Sequence, residues 1–428
     1  MAQCQTQIHT GEVNAWCKRE PEVLYHAMFC DPPYHLTSIS ARYKTISERD
    51  KLVTNLDPYR RTARGFMNQE WDGGDIAFQP ETWAAFLPHL HPGAMLMAFA
   101  GTRGWHRMAV AIEDAGFIIH PTIFNWVYGS GFPKATRVKG DRRFDGHRYG
   151  KQAMKPACEP IIVAQVPYAG RPLDSITATG AGTFNIDEGR IGTETVKTMA
   201  GNLFPAIYGD FKECEESTRN GRWPANLILD EESAKLMDRQ SGVNIGTGKA
   251  KMGMHSGHPA SRCKGAESDF ETLTNFGDTG GASRFFMQSN WDAEEYDPFF
   301  YCKKSGRVER DAGLEAFAVK RAGSISGGGR NVHPCVKPIK LCRYLASILS
   351  PPPEYAPRRL LIPFSGSGSE IIGACLSGGW EFVQGIEMSA EYARIAEARI
   401  NFWQNNSGLF ESLTDTDDMP TDAQESLF

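Results

Sequence analysis

The chain has 428 residues, 41% of them hydrophobic and 23% charged, with 43 glycines and a net charge of −5. That size predicts roughly three structural units, and the balance excludes wholesale disorder. Its longest apolar stretches, such as 94–100, fall far short of the roughly 20 residues that span a bilayer. No charged-then-apolar leader opens the chain, and ten cysteines without a C-x-x-C pair rule out a disulfide scaffold, so a cytoplasmic protein is expected.

In chain order, residues 23–30 form a short apolar run ended by Asp31-Pro32-Pro33. Proline cannot continue a hydrogen-bonded ladder, so this reads as a strand stopped there. Pro80 opens a short helix carrying Trp83, Phe86 and Leu87, and Pro92-Gly93 turns into an apolar strand over 94–100. Thr102 can cap a helix whose apolar face is Trp105, Met108, Ala109 and Ile112, with Gly116 as its stop. Residues 117–127 and 160–166 read as further strands.

Between them lies a basic stripe: Lys134, Arg137, Lys139, Arg142, Arg143, Arg148, Lys151 and Lys155 against Asp141 and Asp145. Such a stripe can engage phosphates locally although the whole chain is acidic. The pattern then dissolves over 170–298, rich in Gly, Asn, Ser and Asp with isolated anchors such as Gly221-Arg222-Trp223-Pro224. Segments this long without regular pattern are usually functional insertions. His255, His258 and Cys263 approach a metal cluster but lack a fourth ligand, so no metal is expected.

Order resumes near 299–302. Pro338 begins a helix with Leu341, Cys342, Leu345, Ile348 and Leu349 on one face, which the Pro351-Pro352-Pro353 run ends. Residues 359–364 and 381–387 read as buried strands, and Ser389 caps a helix turning Tyr392, Ile395, Ala396 and Ile400 inward. Beyond Gln404 the tail is polar, acidic and expected to be disordered. Strands alternating with helices define an α/β chain with a largely parallel sheet covered on both faces. The units expected are 1–169, an inserted region 170–298, 299–404, and the tail 405–428.

Two motifs carry chemistry. Phe364-Ser365-Gly366-Ser367-Gly368-Ser369 lies between a strand and a helix, where glycines let the backbone approach a ligand. Glu387 ends the next strand, at the spacing of a carboxylate that accepts from two ribose hydroxyls. Asp31-Pro32-Pro33-Tyr34 ends another strand: a carboxylate and a proline carbonyl can take the two hydrogens of an exocyclic amine while the Tyr34 ring stacks on a base.

This pairing resembles the S-adenosylmethionine-dependent DNA amino-methyltransferases. With the Asp-Pro-Pro-Tyr tetrapeptide ahead of the glycine-rich turn, the order resembles the permuted β class. Gly65-Phe66-Met67, Trp71-Asp72, Gly101-Thr102-Arg103, Tyr128-Gly129-Ser130-Gly131-Phe132-Pro133-Lys134, Gly221-Arg222-Trp223-Pro224-Ala225-Asn226 and His333-Pro334-Cys335-Val336-Lys337-Pro338 resemble its phage and prophage branch.

The resemblance implies a Rossmann-like methyltransferase fold in permuted order, with target recognition in 170–298 and location in a bacterial host cytoplasm. It implies Asp31, Pro32, Pro33 and Tyr34 as the catalytic set. Glu12, Cys30, Asp31, Lys337, Phe364, Ser365, Gly366, Ser367, Gly368, Ser369 and Glu387 would hold S-adenosyl-L-methionine. DNA would be the partner, held by Lys134, Arg137, Lys139, Arg142, Arg143, Arg148 and Lys151. Asp rather than Ser at the first tetrapeptide position leans toward adenine N6.

Cytosine N4, methylation of a protein glutamine amide and a catalytically weak DNA-binding protein that keeps the fold are the competing readings. Two departures from the family stand out: Glu12 replaces an Asp, and Ile362 stands where an Asp usually precedes Pro-Phe, removing a hydrogen-bond acceptor. The last five residues, Gln424-Glu425-Ser426-Leu427-Phe428, resemble the short peptide by which bacterial DNA enzymes dock on the replication sliding clamp, with Gln424, Leu427 and Phe428 as contacts.

Overall fold

The computed structural model describes residues 3–34, 75–129, 133, 135–149, 154–198, 217–245, 250–251, 271–272, 279–289, 307–320 and 328–408. Lys134, Lys151, His255, His258, Cys263, the 299–302 run and Gln424, Leu427 and Phe428 lie outside the described residues.

Ten strands make one sheet: β1 (Gln5–Thr10), β2 (Tyr25–Cys30), β3 (Leu90–Phe99), β4 (Ile118–Ile119), β5 (Phe124–Val127), β6 (Cys158–Gln165), β7 (Leu227–Asp230), β8 (Met287–Ser289), β9 (Arg359–Pro363) and β10 (Phe382–Glu387). Their order is β1-β10-β9-β2-β3-β6-β5-β7-β8, with β4 also on β6. Neighbours run parallel except around β6, which is antiparallel to β3, β4 and β5.

The helices are α1 (Val13–Trp16), α2 (Pro80–Ala84), α3 (Trp105–Asp114), α4 (Pro172–Thr179), α5 (Glu231–Ser241), α6 (Arg307–Asp311), α7 (Ile339–Leu349), α8 (Ser369–Ser377) and α9 (Ala390–Asn405). Among the described residues none is long and apolar enough to cross a membrane.

The central strands read as unbroken apolar runs because both of their faces are covered. Ala27, Phe29, Met95, Met97, Phe99, Leu360 and Ile362 pack against Leu341, Leu345, Ile371, Ile372, Ile400 and Trp403 of α7, α8 and α9. The alternate residues Met28, Cys30, Leu96, Ala98 and Leu361 pack against Trp83 of α2 and Met108, Ala111 and Ile112 of α3. The period-two division of side chains thus builds two cores on one sheet, in a Rossmann-like layering.

From β9 the chain moves to β10 on one side, and from β2 to β3 on the other. The gap between the carboxyl ends of β9 and β2 is therefore the switch point, where ligands bind in open α/β sheets.

Some sequence expectations shift. Helix α3 starts at Trp105 with Gly104 as its cap and no side-chain bond there, because the Gly101 carbonyl takes the N–H groups of Gly104 and Trp105 and leaves Thr102 outside the helix. The 117–127 run is broken into β4 and β5, with the Pro121 turn between them. Segment 170–298 is not separate from the sheet: β7 and β8 extend it beyond β5. The junction is stitched by Asp230, whose carboxylate caps α5 through Ser233 N (2.8 Å) and also accepts from Gly129 N (2.8 Å).

Helices α7 and α8 are in close contact at Gly373, where a Cβ would sit 2.6 Å from Arg343 N and from Cys342 C and Cβ. Gly373→Ala is expected to push the two helices apart and destabilise the chain by about 1–3 kcal/mol, read as a lower urea midpoint with an unchanged slope.

Candidate active site

A cavity of about 230 Å³ opens at the switch point. Each flanking strand contributes its carboxyl end: Gly11 and Glu12 after β1, Asp31 to Tyr34 after β2, Phe364 and Gly366 after β9, and Ile386 and Glu387 on β10 with Met388 just after it. His333, Cys335 and Tyr392 complete one wall, Val13 and Ile76 another.

The turn after β9 is tightly wound. Phe364 has φ +58°, Gly366 +52° and Gly368 +83°, the left-handed region that glycine enters freely and other residues do not. Glu387 holds the turn by accepting from Gly366 N (2.8 Å) and Ser389 N (2.7 Å). Burial pushes its carboxyl up to about 7, against those two N–H bonds, which favour the anion.

Behind the turn Arg399, fully buried, donates to Ser367 O (2.6 Å), Ser367 Oγ (3.2 Å) and Ser369 Oγ (3.3 Å). Asn331 donates to Ser367 Oγ (3.1 Å) and accepts from His333 N (3.1 Å), while Arg310 donates to the carbonyls of Asn331 and His333. This network ties 307–337 to the turn and seats His333 beside Gly366. Burial, aided by Arg310, pushes the His333 imidazole down to about 3, so it is neutral.

Asp31 sits at the opposite rim. Tyr34 donates to its Oδ1 (2.6 Å) and Lys337 to its Oδ2. The Lys337 ammonium also donates to Tyr34 OH (3.2 Å), lies 3.8 Å from Glu159 Oε2, and rests over the rings of Phe99 and Tyr34. Burial alone would lower its pKa, but Asp31 and Glu159 outweigh that and hold it charged, above its ordinary value. Burial, with Asp31 and Glu159, keeps the Tyr34 phenol neutral. Glu370, on the first turn of α8, is buried behind the site. Burial and then Asp31 push its carboxyl up to about 7.

The structure therefore gathers Glu12, Asp31, Pro32, Pro33, Tyr34, Phe364, Gly366 and Glu387 around one space. Ser365, Ser367, Gly368 and Ser369 shape the turn and do not line the cavity; Ser367 and Ser369 face Arg399 instead. Cys30 is buried in the α2–α3 core, and Lys337 bonds Asp31 without lining the cavity.

Of the basic stripe, Lys155 is described and exposed, 4.0 Å from Glu232, and so are Arg137, Lys139, Arg142, Arg143 and Arg148 of a hairpin. They sit on or between the paired strands Thr136–Arg137 and Arg148–Tyr149, with Arg143 bonded bidentately to Asp141. That hairpin rises between the end of β5 and the start of β6, at the sheet edge that carries Asp31, since Val127 pairs with Cys158.

Sequence reading missed Glu159, Arg310, Asn331, Glu370 and Arg399. Among the described residues no group of three or more His, Cys, Asp or Glu could hold a metal ion.

No protein-family profile matches the chain and no curated protein sequence is similar to it. Solved structures do align along most of its length. The crystal structure of the M1.HpyAVI–SAM complex is 13% identical, with 93% of this chain and 100% of that one covered and a TM-score of 0.36. The PvuII DNA methyltransferase (cytosine-N4-specific) is 11% identical, with 96% and 94% covered and a TM-score of 0.42. Likenesses at such low identity and superposition say nothing of what this chain binds.

Glu387 and Glu370 both lie near 7 when folded, above the ordinary carboxyl value of 4.5. A raised pKa favours the neutral form, so their contribution to stability is full below pH 4.5 and is lost as pH rises through about 7. Glu370→Gln is expected to flatten the fall in melting temperature across that window, measured by thermal denaturation at successive pH values.

Proposed function

We propose that this chain transfers a methyl group from S-adenosyl-L-methionine to the exocyclic amine of a base turned out of DNA, adenine N6 in preference to cytosine N4. The observation that carries the reading is the charge of the cavity lining. Three acids, Glu12, Asp31 and Glu387, stand among apolar and aromatic walls with a neutral His333, and no lysine or arginine is among the described lining residues. Such a lining repels a phosphate chain and suits a nucleoside that carries positive charge. The residues present fit the cofactor on that ground.

When bound, the cofactor supplies an electrophilic methyl group on a positively charged sulfur. Glu387, fixed by Gly366 N and Ser389 N, accepts from the ribose hydroxyls. Glu12 and Gly11 border the same space from β1. Asp31 and the Pro32 carbonyl each accept one hydrogen of the target amine, which favours a pyramidal nitrogen and frees its lone pair. The Tyr34 ring stacks on the base. Transfer of that methyl group to the amine would leave the electron pair of the broken C–S bond on the cofactor's sulfur. Asp31 would stabilise the cationic nitrogen until its proton passes to solvent water.

A base must leave the duplex to reach such a cavity, so phosphates on either side need anchoring. The exposed hairpin of Arg137, Lys139, Arg142, Arg143 and Arg148 supports that role by its charge and its place on the same sheet edge. Recognition of the target sequence falls to residues 170–298, and docking on the sliding clamp to Gln424, Leu427 and Phe428.

Tritium transfer from labelled cofactor into unmethylated plasmid tests the reading, and mapping the modified bases separates adenine N6 from cytosine N4. Asp31→Ala is expected to lower transfer by at least about 100-fold with cofactor affinity within a few-fold of the parent. Cofactor and DNA binding without transfer by the parent chain would favour the non-catalytic alternative.

Arg142→Ala with Arg148→Ala is expected to weaken DNA binding alike on all sequences. The pair should also flatten the slope of log affinity against log salt by about two, measured by fluorescence anisotropy.

A further inference from the structure

Lys337 does not stand where a cofactor ligand would. Its side chain is 4% exposed, lies outside the cavity lining, and points its ammonium at Asp31 Oδ2 with Tyr34 OH at 3.2 Å. The ring centroids of Phe99 and Tyr34 lie 4.7 and 5.3 Å away, an aromatic enclosure that suits a cation. A nitrogen that donates to Asp31 beside the Tyr34 ring is what the proposed reaction asks of the substrate. Lys337 therefore holds, from behind, the Asp31 carboxylate that the target amine would meet from the cavity.

A second acceptor is within reach. Glu159 reaches in from β6 and its Oε2 lies 3.8 Å from the Lys337 ammonium, longer than a direct hydrogen bond. The groups facing the ammonium are Asp31 and Tyr34 from the β2 loop, Glu159 from β6 and Cys335 from its own segment, and its charge is also felt by Glu370 on α8. Two carboxyl groups, Asp31 and Glu159, thus face one ammonium, and its displacement from Asp31 need not leave it unpaired.

We propose that Lys337 is a positioning residue that holds Asp31 from behind until a base enters, and then passes to Glu159. This rests on the methyl-transfer reading above. While seated, the ammonium keeps the Asp31 carboxylate charged and aimed; the move to Glu159 keeps charge balanced during base entry. Lys337 acts through Asp31 and touches neither cofactor nor methyl group.

The test combines cofactor affinity by calorimetry with steady-state methyl transfer on the full chain. Lys337→Met is expected to leave the cofactor Kd within a few-fold of the parent and the DNA KM unchanged or lower, while kcat falls by about 100-fold, the scale of a misplaced reacting group. In Lys337→Ala, added methylammonium should restore part of that loss. Glu159→Gln keeps the shape of the side chain and removes the second acceptor, so the DNA KM should rise several-fold with kcat and cofactor Kd little changed.

A Lys337→Met that weakens cofactor binding and spares kcat overturns the inference, as does a Glu159→Gln with parental KM. Should Lys337→Met fail to fold, Glu159→Gln decides alone. A parent chain that transfers no methyl group sinks the underlying reading and this inference together. Parent-level kinetics in both variants sinks only the inference.

Discussion

The site depends on a short parallel seam, the pairing of β9 with β2 through Leu360 with Ala27 and Leu361 with Met28. These four side chains have no exposure and divide between the two cores, so burial on both faces holds the register. A slip by one residue would turn every apolar side chain of β9 to the wrong layer. With the register fixed, Asp31 and Phe364, more than three hundred positions apart, end their strands at the same level. The neighbouring pairs β1–β10 and β9–β10 bring Gly11, Glu12 and Glu387 to that level as well.

Charge is the second constraint, and it pulls against the first. Burying carboxyl groups around the ends of the strands, Glu387 on β10 and Glu370 on the first turn of α8, costs desolvation, which is why both move up to about 7. The chain offsets this unevenly. Glu387 is given backbone N–H groups, Asp31 a buried ammonium, while Arg399 is used behind the glycine turn and never reaches the cavity. The outcome is a space bordered by acids, with its cations kept one layer back. An all-neutral lining would be easier to fold.

The core strands were legible because a parallel strand covered on both faces has to be apolar throughout, and the acids were legible because each ends such a run. Glu387 and Asp31 needed only their place along the chain. Other parts left no local trace. Strands β7 and β8 are four and three residues long and join the sheet beyond an antiparallel neighbour, so neither length nor alternation marks them. Arg399 lies within an otherwise ordinary amphipathic helix, and only the fold shows Ser367 and Ser369 turned back upon it. Asn331, Glu159 and Lys337 gain their meaning from partners 36, 178 and 306 positions away, and spacing along the chain cannot reveal such pairs.

Ile362 shows how these constraints meet. The strand alternation that sends Leu361 toward α2 and α3 sends Ile362 into the opposite core, where it is fully buried beneath α7 and α8. An acid at this position would have to lose water inside an apolar cluster or bend the strand end to escape it. With isoleucine, the strand end packs well but supplies no acceptor to shape the turn that follows. That task falls to residues outside the motif: Glu387 takes Gly366 N, Ile386 O takes Ser365 N, and Arg399 with Asn331 fixes Ser367 from behind. Phe364 is then held at a positive φ by contacts on both sides of the turn rather than by an acid on its own strand. The departure at 362 changes which residues support the glycine turn and leaves the turn itself in place.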